Sequence, residues 1–121
     1  MGLYDFPRTA RLLSSGEFRR VFEQTDFRAP HPFFLLLATQ ASSQNSARLG
    51  LVVAKKNVRR AVDRNRVKRL IRESFRQHRP ELPNLDIVVL VRKEAAQAEN
   101  GQLLMALDKL WSRLIRQAAE A

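Results

Sequence analysis

The sequence predicts an α/β sandwich of the α+β kind, a small mixed sheet of about four strands packed with three helices in the order αβββαβα. Three observations lead there. Short apolar or β-branched runs bounded by turn residues recur at Phe33–Thr39, Leu49–Ala54 and Asp86–Val91. Stretches with apolar residues at three-and-four spacing lie around them. The chain has 121 residues and is 45% hydrophobic, enough for one core and too short for two. Residues 1–121 are therefore read as one domain, with 1–10 as a flexible N-terminal segment.

The first helix is announced by Ser14-Ser15-Gly16-Glu17, a capping box in which Ser14 caps backbone N–H groups and Glu17 reaches back. Phe18 and Phe22 then fall one turn apart on one face. Thr25 to Pro32 contains two prolines and reads as a turn or an irregular edge strand. Phe33 to Thr39 is a strand apolar enough to be buried on both faces. The Ser, Asn and Gln of Gln40 to Ala47 mark a flexible connection, and Leu49 to Ala54 is a second strand, expected to pair with the first as a hairpin. A long helix is expected from about Val58 to Gln77, with Asn57 as its cap and Pro80 and Pro83 as its stop. Asp86 to Val91 is a third clear strand. The leucine stripe with Trp111 between about Gly101 and Ala118 is an amphipathic helix. A strand, helix, strand passage ordinarily forms a right-handed crossover between parallel strands.

Charge narrows the function. The formal net charge is +10, which points to a polyanionic partner. Between Lys55 and Arg79 stand eleven bases opposed only by Asp63 and Glu73, which is nine of those ten charges. On the long helix, Val67, Leu70, Ile71, Ser74 and Phe75 share the side that must lie on the sheet. Lys68, Arg69, Arg72, Arg76 and Arg79, with Asn65, fall on the other side, and Arg64 sits at the border. Like charges four residues apart cost a helix a few tenths of a kcal/mol per pair. A phosphate backbone turns that cost into attraction. A solvated helix face would alternate in sign, and a helix lying on a membrane would need a broader apolar face with aromatic anchors. A strand precedes this helix where a DNA-reading helix-turn-helix would have another helix, so topology favours structured RNA.

Other classes fall away. Zero cysteines excludes disulfides, thiolate zinc sites and a Cys nucleophile. The longest apolar run, Phe33 to Ala38, is far short of the roughly 20 residues of a membrane span. The start of the chain fits neither a secretory signal nor a myristoylation site. A cytoplasmic protein with no membrane and no small-molecule substrate is expected. His31 and His78 have no partners at metal-ligand spacing. There is no phosphate-binding glycine loop, nucleophile elbow or converging carboxylate set. The residues describe a binder. Phe18 and Phe22 stand beside Arg19 and Arg20, an arrangement that stacks bases if exposed and is core if buried.

The run from Lys55 to Arg76, with an Arg64-Asn65-Arg66 core followed by Lys68-Arg69 and Arg72-Glu73, resembles the protein component of bacterial ribonuclease P. The likeness extends to Arg11-Leu12-Leu13, Phe18 to Phe22, Leu49 to Lys56, Asp86 to Val91 and Leu107 to Arg113. The resemblance implies an accessory subunit of a ribonucleoprotein that removes the 5′ leader of precursor tRNA, with hydrolysis performed by the RNA subunit and its Mg²⁺. It implies no catalytic group and no cofactor held by the protein itself. Its expected partners are ribonuclease P RNA, one to one, and precursor tRNA. By position, Lys56, Arg59, Arg60, Arg64, Asn65, Arg66, Lys68, Arg69, Arg72 and Arg76 would bind the catalytic RNA. Arg11, Phe18, Phe22, Leu37 and Lys55 would line a cleft for the single-stranded leader. The resemblance also implies an unusual left-handed crossover around the long helix. In one respect this chain departs from the pattern: several relatives carry an aromatic in the first long strand of the cleft, where Leu36 or Leu37 stands here. The alternative class is a structural RNA-binding protein of ribosomal type with no role in cleavage. A protein-only nuclease comes third.

Overall fold

A computed structural model describes residues 10–41 and 46–121. The elements run α1 (Ser15–Glu23), β1 (Phe27–Pro30), β2 (Phe34–Gln40), β3 (Arg48–Val52), α2 (Ala61–His78), β4 (Leu85–Val91) and α3 (Asn100–Glu120), with short 3₁₀ turns at Arg79–Glu81 and Lys93–Gln97. This is the expected order of three helices and four strands. The capping box forms: Ser14 Oγ accepts the Glu17 N–H and the Glu17 carboxylate accepts the Ser14 N–H, both at 3.1 Å.

The four strands form one mixed sheet in the order β1-β2-β4-β3. β2 pairs antiparallel with β1 and β4, and β3 runs parallel to β4. The hairpin expected between β2 and β3 is therefore absent, because β4 lies between them. The reason is burial. β4 is almost wholly buried along its length, so it needs a strand on each side and a helix layer above and below. Sequential strands neighbour one another only about two-thirds of the time. Here the helical connection carries the chain over β3 and returns it beside the same strand.

Alternation along the strands sends two sets of side chains to opposite faces. Phe34, Leu36 and Ala38 of β2 join Leu85, Ile87, Val89 and Val91 of β4 under α2 and α3, whose Val67, Ile71, Phe75, Leu103, Leu107, Leu110, Trp111 and Leu114 complete the main core. The Phe75 and Trp111 rings meet edge to face with centroids 5.7 Å apart. The Trp111 indole N–H donates to Ser74 Oγ at 2.8 Å, so the polar atom of the largest core side chain is satisfied. Trp111 is core, as its place in the leucine stripe indicates.

α2 starts later than expected. Its N-cap is Arg60, with no side-chain capping bond, and Asn57 does not cap it. The Asn57 side-chain amide instead donates to the Val91 carbonyl at 3.1 Å, tying the lead-in of α2 to the end of β4. Val58 is fully buried, and its N–H donates to the Ala54 carbonyl at 3.1 Å. The chain thus completes a turn before the helix can begin. Residues 1–9 of the expected flexible segment, and 42–45 of the β2–β3 connection, lie outside the described residues. Ala10 is fully buried.

α1 covers part of the other sheet face, and a buried acid holds it there. Asp86 is 1% exposed. It accepts from Arg48 Nε at 3.0 Å and Nη2 at 2.9 Å, a two-pronged grip, and from Arg20 Nη1 at 3.1 Å. Arg48 Nη1 continues to Glu17 at 2.8 Å, and Arg20 also donates to the Gln40 carbonyl. One helix, three strands and a cap are thereby joined. Removing one partner of a buried ion pair leaves the other charge uncompensated, at a cost of about 3–5 kcal/mol. Asp86→Ala is expected to lower the unfolding free energy by about that much, measured by urea denaturation.

The Glu17 carboxyl is held below its usual range, first by the Leu13 N–H, then by the Ser14 N–H and Arg48, against the opposing effect of burial. A depressed carboxylate stabilises above its unfolded value and loses that contribution as pH falls through the folded one. Glu17→Gln is therefore expected to be less stable than the parent at neutral pH and to converge with it in acid. Denaturation midpoints across the carboxylate range read this directly.

Candidate RNA interface

Strand register divides the α1-side face into three rows. The first, Thr39–Asp86–Arg48, is polar and bolted to α1 as described. The second, Arg28–Leu37–Val88–Gly50, lies beneath α1: Leu37 and Val88 form a small core with Leu12 and Val21, with Phe18 packed against it. The third, Pro30–Leu35–Leu90–Val52, is an apolar row whose Leu35, Leu90 and Val52 are half-buried and whose Pro30 is exposed. A half-open apolar floor beside a helix is a cleft.

Gly50 explains where Phe18 rests. A Cβ at that position would fall 2.6 Å from the Phe18 ring, so the ring lies directly on the backbone of β3. Phe22, one turn further, is 43% exposed. With Phe18 and Leu13 it lines a groove of about 630 Å³ along α1. The alternatives for the two aromatics thus divide: Phe18 is half core and half surface, and Phe22 is free to contact a ligand. Leu37, placed in the cleft from sequence, is 8% exposed and serves as packing under α1. Leu35 of the same strand is the residue that reaches the open row. Lys55 follows β3 and is exposed beyond the end of that row. Arg11 lies at the outer edge of β3, bridged to Leu49.

The basic helix sorts its residues by angle. Val67, Ile71, Ser74 and Phe75 are buried, and Leu70 is half-buried. Asn65, Arg69 and Arg72 are exposed and Lys68 half-exposed, and among the described residues no ion pair engages Lys68, Arg69 or Arg72. The flanking arginines are employed within the fold. Arg64 Nη1 donates to the carbonyls of Val58 at 3.0 Å and Arg59 at 2.7 Å. Arg66 reaches Asn100 Oδ1 at 2.6 Å and the Ala96 and Ala98 carbonyls at 3.4 Å. Arg76 pairs with Glu73 at 2.6 Å, and Arg79 donates to the Ala47 carbonyl at 3.0 Å and to Ser46. Of the Arg64-Asn65-Arg66 core, only Asn65 stands clear.

A second cationic cluster gathers where β3 and β4 end side by side. Lys56, Arg59 and Arg60, before α2, face Lys93 of the turn after β4 across an opening of about 580 Å³ that also holds Asp63 and Glu94. Ligand sites at the carboxyl ends of parallel strands recur in open sheets. Lys93 escaped the sequence reading, since only the parallel pairing of β3 with β4 brings it near Lys56. Both histidines serve local structure. His31 Nδ1 accepts from the Phe33 N–H at 3.0 Å, and burial, then Lys109 and Arg113, hold its pKa down. His78 Nδ1 lies 2.8 Å from the Ser74 carbonyl oxygen. Among the described residues there is no cluster of three or more acidic or His side chains that could hold a metal, and no helix is long and apolar enough to cross a membrane.

Comparison with known proteins agrees with this arrangement. The family model for ribonuclease P matches residues 6–115. The chain is 50% identical over 113 residues to the ribonuclease P protein component of Yersinia enterocolitica, covering 93% of each. It is 46% identical over 115 residues to that of Marinomonas, covering 95% of this chain and 86% of the relative. Among solved structures, a Staphylococcus aureus RNase P protein mutant with defective mRNA degradation activity superposes with a TM-score of 0.82 at 26% identity over 88% of both chains. The Thermotoga maritima RNase P protein gives 0.74 at 29% identity, over 85% of this chain and 96% of that one. A basic helix laid on a mixed sheet, an aromatic cleft on the reverse face and these likenesses lead to one conclusion: the chain belongs to the ribonuclease P protein family.

Proposed function

We propose that this chain is the protein subunit of a ribonuclease P in which an RNA subunit, with its Mg²⁺, removes the 5′ leader of precursor tRNA. The protein binds the catalytic RNA and the leader and supplies no reacting group. The observation that carries the reading is the division of the surface into two parts. One is the exposed cationic stripe of Asn65, Lys68, Arg69 and Arg72 with the Lys56, Arg59, Arg60 and Lys93 cluster. The other is the groove of Phe18 and Phe22 along α1, with Phe18 packed on the same small core as the apolar row of Leu35, Leu90 and Val52.

The chemistry of each part suits a different form of RNA. Guanidinium and ammonium groups neutralise phosphates of a folded RNA and release its counterions, whatever its sequence. An aromatic beside half-open apolar residues accepts unpaired bases by stacking, and the leader is the unpaired part of the substrate. Binding both at once favours precursor over mature tRNA, since only the precursor fills the cleft. Neutralising phosphates also lowers the Mg²⁺ that the RNA requires. No metal is assigned to the protein itself.

Reconstitution tests this reading. Purified protein added to its cognate RNA is expected to support precursor cleavage at Mg²⁺ concentrations where the RNA alone is slow, whereas a purely structural RNA-binding protein leaves the rate unchanged. Hydrolysis by the protein without RNA would overturn the assignment of chemistry to the RNA. Arg60→Ala with Arg69→Ala, both at exposed positions, is expected to weaken assembly with the catalytic RNA and flatten its log–log salt dependence by about 1 to 2, read from binding titrations between 50 and ~200 mM salt.

The cleft has its own test. Base stacking on an aromatic is worth about 1–3 kcal/mol, so Phe22→Ala is expected to weaken precursor binding roughly 5- to 150-fold and leave mature tRNA unaffected. Gly50→Ala is expected to act in the same direction, because the added methyl displaces the Phe18 ring. Comparing dissociation constants for precursor and mature tRNA measures both. Equal losses for the two RNAs would remove the cleft from the leader path.

A further inference from the structure

The cationic helix and the aromatic cleft lie on opposite faces of the sheet, yet they meet at one place, the outer edge of β3. There Arg11 forms a parallel bridge with Leu49, and the Leu12 N–H donates to the Leu49 carbonyl at 3.0 Å. This added stretch of chain brings Arg11 alongside α2. An opening of about 180 Å³ results, bounded by Arg11, Lys68 and Arg72 and floored by Leu12, Gly50 and Phe18.

The opening is built from fixed parts. Its floor cannot shift without moving the Phe18 ring, which lies on Gly50. Leu12 is buried. Lys68 and Arg72 are four residues apart on an 18-residue helix and so project on one face. Three cationic side chains border one small opening, and an anion seated there is attracted by each of them. Partial burial and the nearness of Arg11 both lower the Arg72 pKa, which is the direction such crowding produces.

We propose that this opening is a binding site for a single phosphodiester group of the precursor's leader, held between Arg11, Lys68 and Arg72, with the neighbouring base against the exposed part of Phe18. The inference rests on the reading of the Phe18 cleft as the leader site and deepens it. Arginine forks and a lysine ammonium are the side chains that hold phosphate oxygens. A volume near 180 Å³ admits one phosphate with part of its ribose and no double helix. The shared Phe18 argues for the leader as the source of that phosphate, because paired RNA offers no free base to stack. The edge of β3 would then be where the leader passes from the aromatic cleft toward the RNA-binding helix.

A charge-deletion scan tests this in the reconstituted holoenzyme. Precursors are made with one leader phosphate at a time replaced by a neutral methylphosphonate, and their affinities are measured with the parent protein, Arg72→Gln and Arg11→Gln. For the parent, one leader position is expected to lose about tenfold in affinity. In either variant, assayed with protein in saturating excess over the catalytic RNA so that weaker assembly does not enter, that position is expected to show no further loss, while the other positions keep their parental effects. The proposal is overturned if no position loses its penalty in the variants. It is equally overturned if Arg72→Gln weakens mature tRNA and precursor alike, which would assign the phosphate to the catalytic RNA. The Phe22→Ala comparison separates this result from the broader reading. Selective loss of precursor binding there, with no coupled phosphate in the scan, removes the slot and keeps the cleft. No selective loss removes both.

Discussion

The face of the sheet that α1 covers depends on one buried carboxylate. α1 has nine residues and buries only Val21 completely, so its own apolar contribution is small, and a helix that short is marginal alone. Asp86 supplies what packing does not. It draws Arg20 from the helix and Arg48 from the neighbouring strand onto one acid, and Arg48 passes the connection to the helix cap through Glu17. A buried charge is tolerable only when its hydrogen bonds are met, and Asp86 accepts three. With α1 fixed there, Phe18 comes to rest on Gly50, and both the cleft and the slot at the edge of β3 acquire their walls.

The cleft exists because this anchored helix is short. Nine residues of α-helix span about 14 Å, and the seven residues of β2 about 23 Å. α1 covers the polar row it is bonded to and the Leu37–Val88 row next to it, and leaves Leu35, Leu90 and Val52 half-buried. The other face carries an 18-residue and a 21-residue helix, and its Leu36, Ile87 and Val89 are fully buried. Contiguous open apolar surface is a candidate for binding where isolated apolar side chains are not, and Leu35, Leu90 and Val52 form such a row. Its position at the carboxyl ends of β3 and β4 puts it beside the Lys56, Arg59, Arg60 and Lys93 cluster.

Much of this was legible in the sequence, and what was not has specific causes. Periodicity and apolar runs located α3, β2, β3 and β4, since α3 carries its stripe without interruption and β4 its β-branched run, whereas β1 lies in a stretch that read equally as a turn. The Ser14–Glu17 box worked because both partners are local. The hairpin between β2 and β3 failed because pairing is settled by which strand needs cover on both faces, and that is a property of β4. Asn57 failed as a cap because a distant carbonyl, that of Val91, claimed its side chain. Asp86 looked like the polar start of a strand. Its role emerges only when residues 20 and 48 come together in space, and no spacing rule connects them. Lys93 was hidden for the same reason.

Charge counting also overstated the cationic surface, and helix phase accounts for the difference. A guanidinium at the border of a helix face lies within reach of carbonyls on the elements that the helix packs against. Arg64, Arg66 and Arg79 each take that option, and Arg76 is neutralised by Glu73. At the centre of the outward face, Asn65, Arg69 and Arg72 are exposed, with Arg72 also close to Arg11. The repulsion between Lys68 and Arg72, four residues apart, costs a few tenths of a kcal/mol. The border arginines therefore belong to both stability and charge, while the central ones belong to charge alone. Loss of RNA affinity on changing Arg64 or Arg66 would carry a folding component, because the carbonyls they cap would be left without donors. Loss on changing Arg69 would not, so the central stripe is where affinity for the polyanion can be measured by itself.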